Sequence, residues 1–254
     1  MKRMLRWLFL FLSLVANAEP ADALNTTLKS SSGTGFLVDS SGYVVTSWHV
    51  IKNKKLVYVG PVVGSLWREA KVVKIDEKND LALVKISQLE RSALEIADWQ
   101  TVPIGLEAYL ISFPLPKLLG LSKKMTQGLV NGARTDFSGE GLFQYSAETQ
   151  KGSSGAPVLS PDGLVLGVVQ KKVDGLKLAE SSKDLPENIN YAIKSNILVK
   201  FLESTEAKFV VKKVNLDSKP RPYQLFQTAS GAIFSIIARD DIKQNSDTKI
   251  SPSD

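Results

Sequence analysis

The sequence contains no cysteine and only one histidine among its 254 residues. Without cysteine the chain forms no disulfide bond, so its stability has to come from the burial of apolar side chains, which a chain of this length can supply. The usual zinc and copper sites need several cysteine or histidine ligands, so the composition excludes them. A calcium site built from carboxylates alone stays open, but no motif supports one. We therefore predict no metal and no cofactor.

The chain also has little excess charge of either sign. Its formal net charge is +6, and the first 18 residues contribute Lys2, Arg3 and Arg6 without any acidic residue. The other basic residues are interspersed with acidic ones, apart from short pairs such as Lys123-Lys124. Such pairs are more typical of solvated loops than of a phosphate-binding track. The charge pattern therefore argues against a nucleic-acid partner.

Long apolar runs are missing except near the N-terminus. Residues 1–6 are basic, residues 7–15 are apolar, and residues 16–18 have the small-x-small form of a signal-peptide cleavage site. A membrane-spanning helix needs about 20 apolar residues, roughly twice the length of this run. We predict that residues 1–18 are a cleaved signal peptide, with an uncleaved anchor as the alternative. The protein is then exported to the bacterial periplasm or secreted, without stable membrane insertion after cleavage.

What the sequence does contain is a series of short segments rich in Val, Ile, Leu and aromatic residues. They are separated by Gly, Pro, Asn and Asp at the intervals expected of a β-sandwich or β-barrel. This pattern predicts an all-β fold, with a link between two halves near residues 93–107. The predicted strands are 35–38, 43–46, 56–58, 70–76, 81–86, 108–112, 126–133, 142–147, 158–159, 164–171 and 189–193.

One helix and a basic extension are predicted to follow these strands. Ser195 is placed to cap a helix over residues 196–204, in which four apolar residues share one face. Residues 205–254 form the extension, and its polar end at residues 243–254 is predicted to be disordered. Two strand-like runs in the extension are 209–214 and 232–238.

The strongest local motif is GSSGAP at residues 152–157, a turn of small residues between two β-rich stretches. Such a turn can expose a serine hydroxyl while backbone N–H groups point to one position. Acyl transfer requires this arrangement, because negative charge develops on the carbonyl oxygen. Ser154 is the candidate nucleophile, and the N–H groups of Gly152 and Ser154 are the candidate oxyanion hole. A turn without a catalytic role is the alternative, since Gly- and Ser-rich turns are common.

A serine nucleophile needs a base, and histidine is the side chain best suited to that task at neutral pH. His49, the single histidine, follows the strand-like run 43–48; the alternative is a structural or surface histidine. Asp80 precedes an apolar run and is the candidate carboxylate that orients the imidazole. Asp76 competes for this role, but its turn is typical of solvated residues.

These motifs occur in a fixed order: GYVVTSWHV at residues 42–50, DLALVK at residues 80–85, then GSSGAP. Together with GTGF at residues 33–36 and NYAI at residues 190–193, they resemble the trypsin-like peptidases, and among them the bacterial HtrA (Deg) type. The resemblance covers residues 30–204. The order histidine, aspartate, serine is that of chymotrypsin-like rather than subtilisin-like enzymes.

The resemblance implies two packed six-stranded antiparallel β-barrels within a domain at residues 19–204. The first barrel would span about 30–95 and the second about 105–195, followed by the helix. The candidate histidine and aspartate would lie on the first barrel and Ser154 on the second. A peptide substrate would bind in the cleft between the barrels as an added strand.

Some positions depart from the family pattern. HtrA proteins usually carry PDZ domains after the peptidase domain, and the roughly fifty residues that follow the helix are too few for one, so we expect no regulation by PDZ peptide capture. Trp48 stands where the family has a small residue, so packing around the histidine is expected to differ. Ser153 stands where an asparagine or aspartate is usual, so activation by a new N-terminal amine is not expected.

Substrate preference rests on two predicted features. Glu148, six residues before the serine, occupies a position that can form the floor of the primary pocket, where an acid would favour Lys or Arg substrates. Gly167, Val168 and Val169 are predicted to line the pocket wall and to pair with the substrate strand.

The predicted function is that of a secreted serine endopeptidase that cleaves peptides or unfolded proteins through an acyl-enzyme intermediate. The alternative is a catalytically inactive protein of the same fold that binds a partner. The sequence leaves the natural substrate and the oligomeric state open.

Overall fold

A computed structural model describes residues 30–61, 66–133, 141–170, 190–219 and 221–240. The predicted signal peptide at residues 1–18 and the predicted disordered tail at residues 243–254 lie outside the described residues. No helix within the described ranges is long and apolar enough to cross a membrane.

The chain forms short β-strands and few helices, which confirms the predicted all-β class. Each run predicted as a strand within residues 35–193 overlaps an observed strand, with ends that differ by a few residues. The strands are β1 (Ser31–Asp39), β2 (Tyr43–Ser47), β3 (Leu56–Gly60), β4 (Arg68–Glu69), β5 (Lys71–Asp76), β6 (Leu81–Lys85), β7 (Ile96–Ala97), β8 (Glu107–Ser112), β9 (Lys124–Ala133), β10 (Leu142–Tyr145), β11 (Pro157–Leu159), β12 (Val165–Val169), β13 (Asn190–Lys194), β14 (Val211–Lys212) and β15 (Ile233–Arg239).

The helices are short, and one of them matches the predicted helix. The observed α-helices are α1 (Trp48–Ile51), α2 (Pro116–Leu119), α3 (Ser195–Glu203) and α4 (Pro222–Ala229). The predicted cap of α3 is wrong, because Lys194 occupies the N-cap position and Ser195 is already helical. The Ser195 hydroxyl is buried and has no hydrogen-bond partner among the residues that the structure describes. α3 is instead held by its apolar face, where Leu198, Phe201 and Leu202 are buried.

The first barrel is an antiparallel sheet in the order β4-β3-β15-β1-β2-β6-β5. Its two ends, β4 and β5, are separated in the chain only by Ala70, whose N–H donates to the Val57 carbonyl at 2.8 Å. The segment 68–76 therefore pairs with β3 at one end and with β6 at the other, and it turns the sheet back on itself. Counted in this way, six strand segments enclose a core that includes the fully buried Leu83 and Phe234.

The position of β15 differs from the prediction. The sequence analysis places the run 232–238 in an extension that follows the peptidase domain, whereas β15 lies between β1 and β3 inside the first barrel. Residues 30–95 therefore do not complete this barrel alone, and residue 204 does not separate the peptidase fold from an appended extension. The run 232–238 contains no charged residue, which suits a strand that has neighbours on both sides. Ile236 in this strand is fully buried.

The second barrel is a ring of six antiparallel strands in the order β11-β8-β9-β10-β13-β12, closed by the pairing of β12 with β11. β7 and β14 add to this sheet as parallel strands at the N-terminal end of β12. Phe143 and Tyr145 of β10 are fully buried, with ring centroids 6.0 Å apart. The predicted architecture of two packed six-stranded barrels is therefore confirmed.

Candidate active site

His49 lies in the first turn of α1, directly after the end of β2 in the first barrel. The first N–H groups of a helix have no partner within the helix. Here Asp80 accepts from two of them. Its carbonyl oxygen accepts from the Trp48 N–H at 3.1 Å, and its Oδ1 accepts from the His49 N–H at 2.8 Å. Asp80 thus caps α1 from the turn that precedes β6.

The side chains of His49 and Asp80 are joined as well. His49 Nδ1 and Asp80 Oδ2 lie 2.7 Å apart, and the two side chains are 30% and 14% exposed. An ionised carboxylate only accepts hydrogen bonds, so the proton of the neutral imidazole is assigned to Nδ1 and the lone pair of Nε2 is left for another partner. A general base requires this orientation. Asp80 has a φ of 55°, a left-handed backbone that aspartate tolerates better than most residues.

Asp76, the competing carboxylate, and Trp48, the bulky residue before the histidine, both contact other residues. Asp76 binds Asn79 instead: its Oδ1 accepts from the Asn79 N–H at 3.0 Å and its Oδ2 from Nδ2 at 2.7 Å. The ring of Trp48 lies 4.3 Å from the Nζ of Lys52, and the pair of His49 and Asp80 is intact beside it. Among the residues that the structure describes, no group of three or more acidic or histidine side chains is placed to hold a metal ion.

The serine turn requires glycine at two positions because of its backbone and its close packing. Gly152 has a φ of +97°, and a Cβ there would lie 2.5 Å from the Phe113 carbonyl oxygen. Gly155 has a φ of +83°, and a Cβ there would lie 2.4 Å from the Thr34 carbonyl oxygen and 2.6 Å from the Ser47 N. The turn is therefore pressed against the end of β2, two residues before the histidine.

The backbone N–H groups of Gly152 and Ser154 are oriented by the carbonyls of their own peptide units. The Lys151 carbonyl accepts from the Leu115 N–H at 2.6 Å, and the Ser153 carbonyl accepts from the Ala156 N–H at 2.9 Å. The C=O and N–H of a trans peptide point in opposite directions, so both N–H groups point away from these partners. Within the described part of the chain neither N–H donates to a protein acceptor. The turn thus offers two fixed and unpaired donors.

Ser154 lies beside the helix that carries His49. A Cβ added to Gly33 would lie 2.9 Å from the Ser154 carbonyl oxygen and 2.6 Å from a Val50 methyl carbon, so the serine backbone and the residue after the histidine meet at one point. The side chains of His49 and Ser154 are both partly exposed. No hydrogen bond joins the Ser154 hydroxyl to Nε2 among the described residues, and in unliganded enzymes such bonds are often long until substrate binds.

The residues predicted to shape the primary pocket lie in different surroundings. Glu148 is exposed, and its Oε1 accepts from the Gln150 Nε2 at 3.0 Å. The expectation for Gly167, Val168 and Val169 differs from the structure, because β12 is paired with β11 and β13 on its two sides. The Val169 N–H donates to Ala156 and its carbonyl accepts from Gly155. The backbone of this segment is therefore already occupied and buried.

Two residues at the site are not evident from the sequence. Leu115 supplies the N–H that holds the Lys151 carbonyl, and its backbone is left-handed, with φ 46° and ψ 54°. The following Pro116 disfavours a right-handed helical backbone at Leu115, which is the only local signal of an unusual conformation. Thr34 lies in β1 and contacts the serine turn, but its motif GTGF does not predict this contact.

Two packed barrels, with a carboxylate-bound histidine on the first and a nearby small-residue turn with a partly exposed serine on the second, define the class of the trypsin-like peptidases. The sequence model of the trypsin-like peptidase domain matches residues 33–168, and this chain belongs to that family.

Relatives of this chain include one uncharacterized bacterial protein and two bacterial proteins named as serine proteases of the DegP or HtrA kind. The Uncharacterized protein y4bJ of Sinorhizobium fredii is 32% identical over 73% of this chain and 30% of its own length. The Probable periplasmic serine endoprotease DegP-like of Chlamydia muridarum is 33% identical over 56% of this chain and 29% of its own length. The Serine protease Do-like HtrA of Lactococcus lactis is 30% identical over 70% of this chain and 45% of its own length. The chain thus spans less than half the length of these relatives, and the HtrA-type resemblance is confirmed for the shared part.

Proposed function

We propose that this protein is an exported serine endopeptidase that hydrolyses peptide bonds with His49, Asp80 and Ser154. The observation that carries the proposal is the combination of an imidazole bound by a carboxylate at 2.7 Å with a turn in which two N–H donors have no protein acceptor among the described residues. Acyl transfer needs a base for the serine and donors for the developing oxyanion. Membership of the trypsin-like peptidase family supports the same chemistry.

In this mechanism the Ser154 Oγ attacks the carbonyl carbon of the substrate while His49 Nε2 takes the hydroxyl proton. The tetrahedral oxyanion accepts hydrogen bonds from the N–H groups of Gly152 and Ser154. As the C–N bond breaks, His49 gives the proton to the leaving amine and an acyl ester remains on Ser154. Water then attacks the ester with His49 again as base, which releases the carboxylic product and restores the serine hydroxyl.

Peptides or unfolded protein segments are the proposed substrates, because the reacting bond has to enter the cleft in an extended form. Glu148 remains a predicted determinant of preference for Lys or Arg. Export to the bacterial periplasm or secretion is supported by the predicted signal peptide at residues 1–18 and by the printed name of the periplasmic relative from Chlamydia muridarum.

The test is labelling of the purified protein with a fluorophosphonate probe, with casein cleavage followed in parallel. Ser154→Ala should abolish labelling and cleavage because the nucleophile is gone, and His49→Ala should reduce both by several orders of magnitude. Ser153→Ala, which removes the adjacent hydroxyl, is the control for the position of labelling.

Two results would contradict the proposal. Labelling that survives in Ser154→Ala but is lost in Ser153→Ala would show that Ser153, and not Ser154, is the nucleophile. Absence of labelling and of cleavage in folded wild-type protein would instead favour a binding protein of this fold.

A further inference from the structure

Thr34 is a fully buried residue of β1 that joins the first barrel to the serine turn of the second. Its N–H donates to the Ser154 carbonyl at 2.9 Å, and its Oγ1 donates to the Gly152 carbonyl at 2.8 Å. The same Oγ1 accepts from the Phe113 N–H at 3.1 Å. One side chain and one backbone N–H thus bind two alternate carbonyls of the turn.

The serine turn contains four consecutive peptide units. The first and third carry the N–H groups of Gly152 and Ser154 and are called the donor units; the second and fourth carry the two carbonyls that Thr34 binds. The N–H of Gly152 lies in the unit before the Gly152 carbonyl, and the N–H of Ser154 lies in the unit before the Ser154 carbonyl. Each peptide unit is planar, so fixing alternate units restricts the torsions that set the direction of the donor units between them. Four consecutive units of the turn are then held, two by Thr34, one by Leu115 and one by Ala156.

Thr34 is itself held in place. Its carbonyl accepts from the Thr46 Oγ1 at 2.7 Å, and β1 is paired with β2 on one side and with β15 on the other. Within β15, Ser235 lies directly opposite Thr34. The hydroxyl of Thr34 therefore projects from a strand in the middle of the first barrel and does not depend on a loop.

We propose that Thr34 is a positioning residue for the oxyanion hole, and that its hydroxyl keeps the N–H groups of Gly152 and Ser154 directed at the reacting carbonyl oxygen. The inference rests on the proposed function. Thr34 touches neither substrate nor the serine hydroxyl in this role; it acts through the turn. Its loss should therefore weaken stabilisation of the transition state and leave ground-state binding of substrate nearly unchanged.

The test compares Thr34→Val, Thr34→Ser and Thr34→Ala with wild-type protein. Valine preserves the shape but leaves the Gly152 carbonyl and the Phe113 N–H without their shared partner. Serine keeps the hydroxyl, and alanine differs from serine only in lacking that hydroxyl. Ser235→Ala is the control, because it removes a buried hydroxyl from the paired position on β15, and this hydroxyl has no hydrogen-bond partner within the described part of the chain.

The measurements are kcat and KM for casein cleavage, the rate of fluorophosphonate labelling, and thermal unfolding. Removal of one oxyanion donor costs about 10²–10³ in kcat, so misdirected donors in Thr34→Val should lower kcat by roughly 10- to 100-fold, with KM within about twofold of wild type. Thr34→Ser should recover most of the loss, and Ser235→Ala should match wild type. Should the valine variant fail to fold, the serine and alanine variants decide the question between them.

Some outcomes separate the two proposals. If the wild-type protein labels and cleaves casein but a folded Thr34→Val or Thr34→Ala does so equally well, the role of Thr34 is wrong while the proposed function stands. Equal losses in the serine and alanine variants, or a change in KM with kcat unchanged, would likewise overturn it. If the wild-type protein does not react at all, the proposed function fails, and the role of Thr34 fails with it.

Discussion

Asp80 accepts two hydrogen bonds from His49, one at 2.8 Å from the backbone N–H to Oδ1 and one at 2.7 Å from Nδ1 to Oδ2. The same carboxylate therefore begins helix α1 and orients the imidazole. A change at this position affects local stability and the proposed chemistry by separate routes, and a pair of substitutions can distinguish them.

Asp80→Asn should keep the fold but remove most of the activity. The amide oxygen can still accept from the His49 N–H, while the amide nitrogen would donate to Nδ1 and place the imidazole proton on Nε2, where it blocks proton transfer from serine. A comparable change in a serine-protease triad lowers kcat by about 10⁴. Asp80→Ala should in addition lower the free energy of unfolding by about 1 kcal/mol, because α1 loses its cap.

The measurements for Asp80 are casein cleavage and urea unfolding. Asp76→Asn is the matched control, since Asp76 binds Asn79 and not the histidine; its activity should stay within about twofold of wild type, as for a surface substitution. Retention of more than a tenth of wild-type activity by Asp80→Asn would contradict the role assigned to Asp80.

Gly152→Ala should lose activity and stability together. Gly152 combines a φ of +97° with a Cβ position 2.5 Å from the Phe113 carbonyl oxygen, so the added methyl would displace the turn. Gly105 has a similar φ of +88° but nothing within 4 Å of its Cβ position. Gly105→Ala should therefore show only the backbone strain of about 1–2 kcal/mol, with normal casein cleavage. We expect Gly152→Ala to lose about 10²–10³ in kcat; equal activity in the two variants would show that the turn adapts without cost.

The parts of the site that the sequence predicts are those encoded in short contiguous motifs. His49, Asp80 and Ser154 each stand in a run whose residue types limit what the local chain can do. Thr34 was not predictable in this way, because its partner Gly152 is 118 residues away and the pairing becomes visible only when two barrels are packed together.

The same limitation explains the other differences between sequence and structure. The run 232–238 predicts a strand, but nothing in it says that its neighbours are β1 and β3, near the other end of the chain. Gly167 to Val169 are apolar, as strands beside a cleft and strands inside a closed barrel both are. These residues cannot make the predicted substrate contact because β12 has a neighbouring strand on each side. That pairing results from closure of the second barrel and cannot be predicted from the sequence of β12 alone.

Ile236→Ala should destabilise the first barrel although Ile236 lies far from the triad in sequence. Its side chain is fully buried in β15, and replacement of a buried isoleucine by alanine costs about 2–5 kcal/mol. Ile104→Ala is the matched control, because Ile104 is 66% exposed and should change stability by less than about 0.5 kcal/mol. Urea unfolding measures both; equal unfolding midpoints would show that β15 does not stabilise the barrel.

Lys123 gives the fold a predicted pH dependence. Its Nζ donates to the Ser230 carbonyl after α4, and the neighbouring Gly231 carbonyl accepts from Arg91 at 2.8 Å. Burial, followed by the nearby charge of Arg91, lowers the pKa of Lys123 from 10.5 to about 8. Between these two pH values the unfolded chain holds more protons at this position than the folded protein does.

Stability rises with pH wherever the unfolded state binds more protons, so the contribution of Lys123 should become more favourable as the pH rises from about 8 towards 10.5. Below pH 8 the lysine is charged in both states, and the full cost of burying the charge is present. Lys123→Met removes this titration. The free energy of unfolding of wild-type protein, relative to that of the variant, should therefore increase across the window in urea titrations at successive pH values. Lys124→Met, at an exposed neighbour, measures the effect of losing one surface charge. A relative decrease for wild-type protein across the same window would show that Lys123 is not desolvated as the structure indicates.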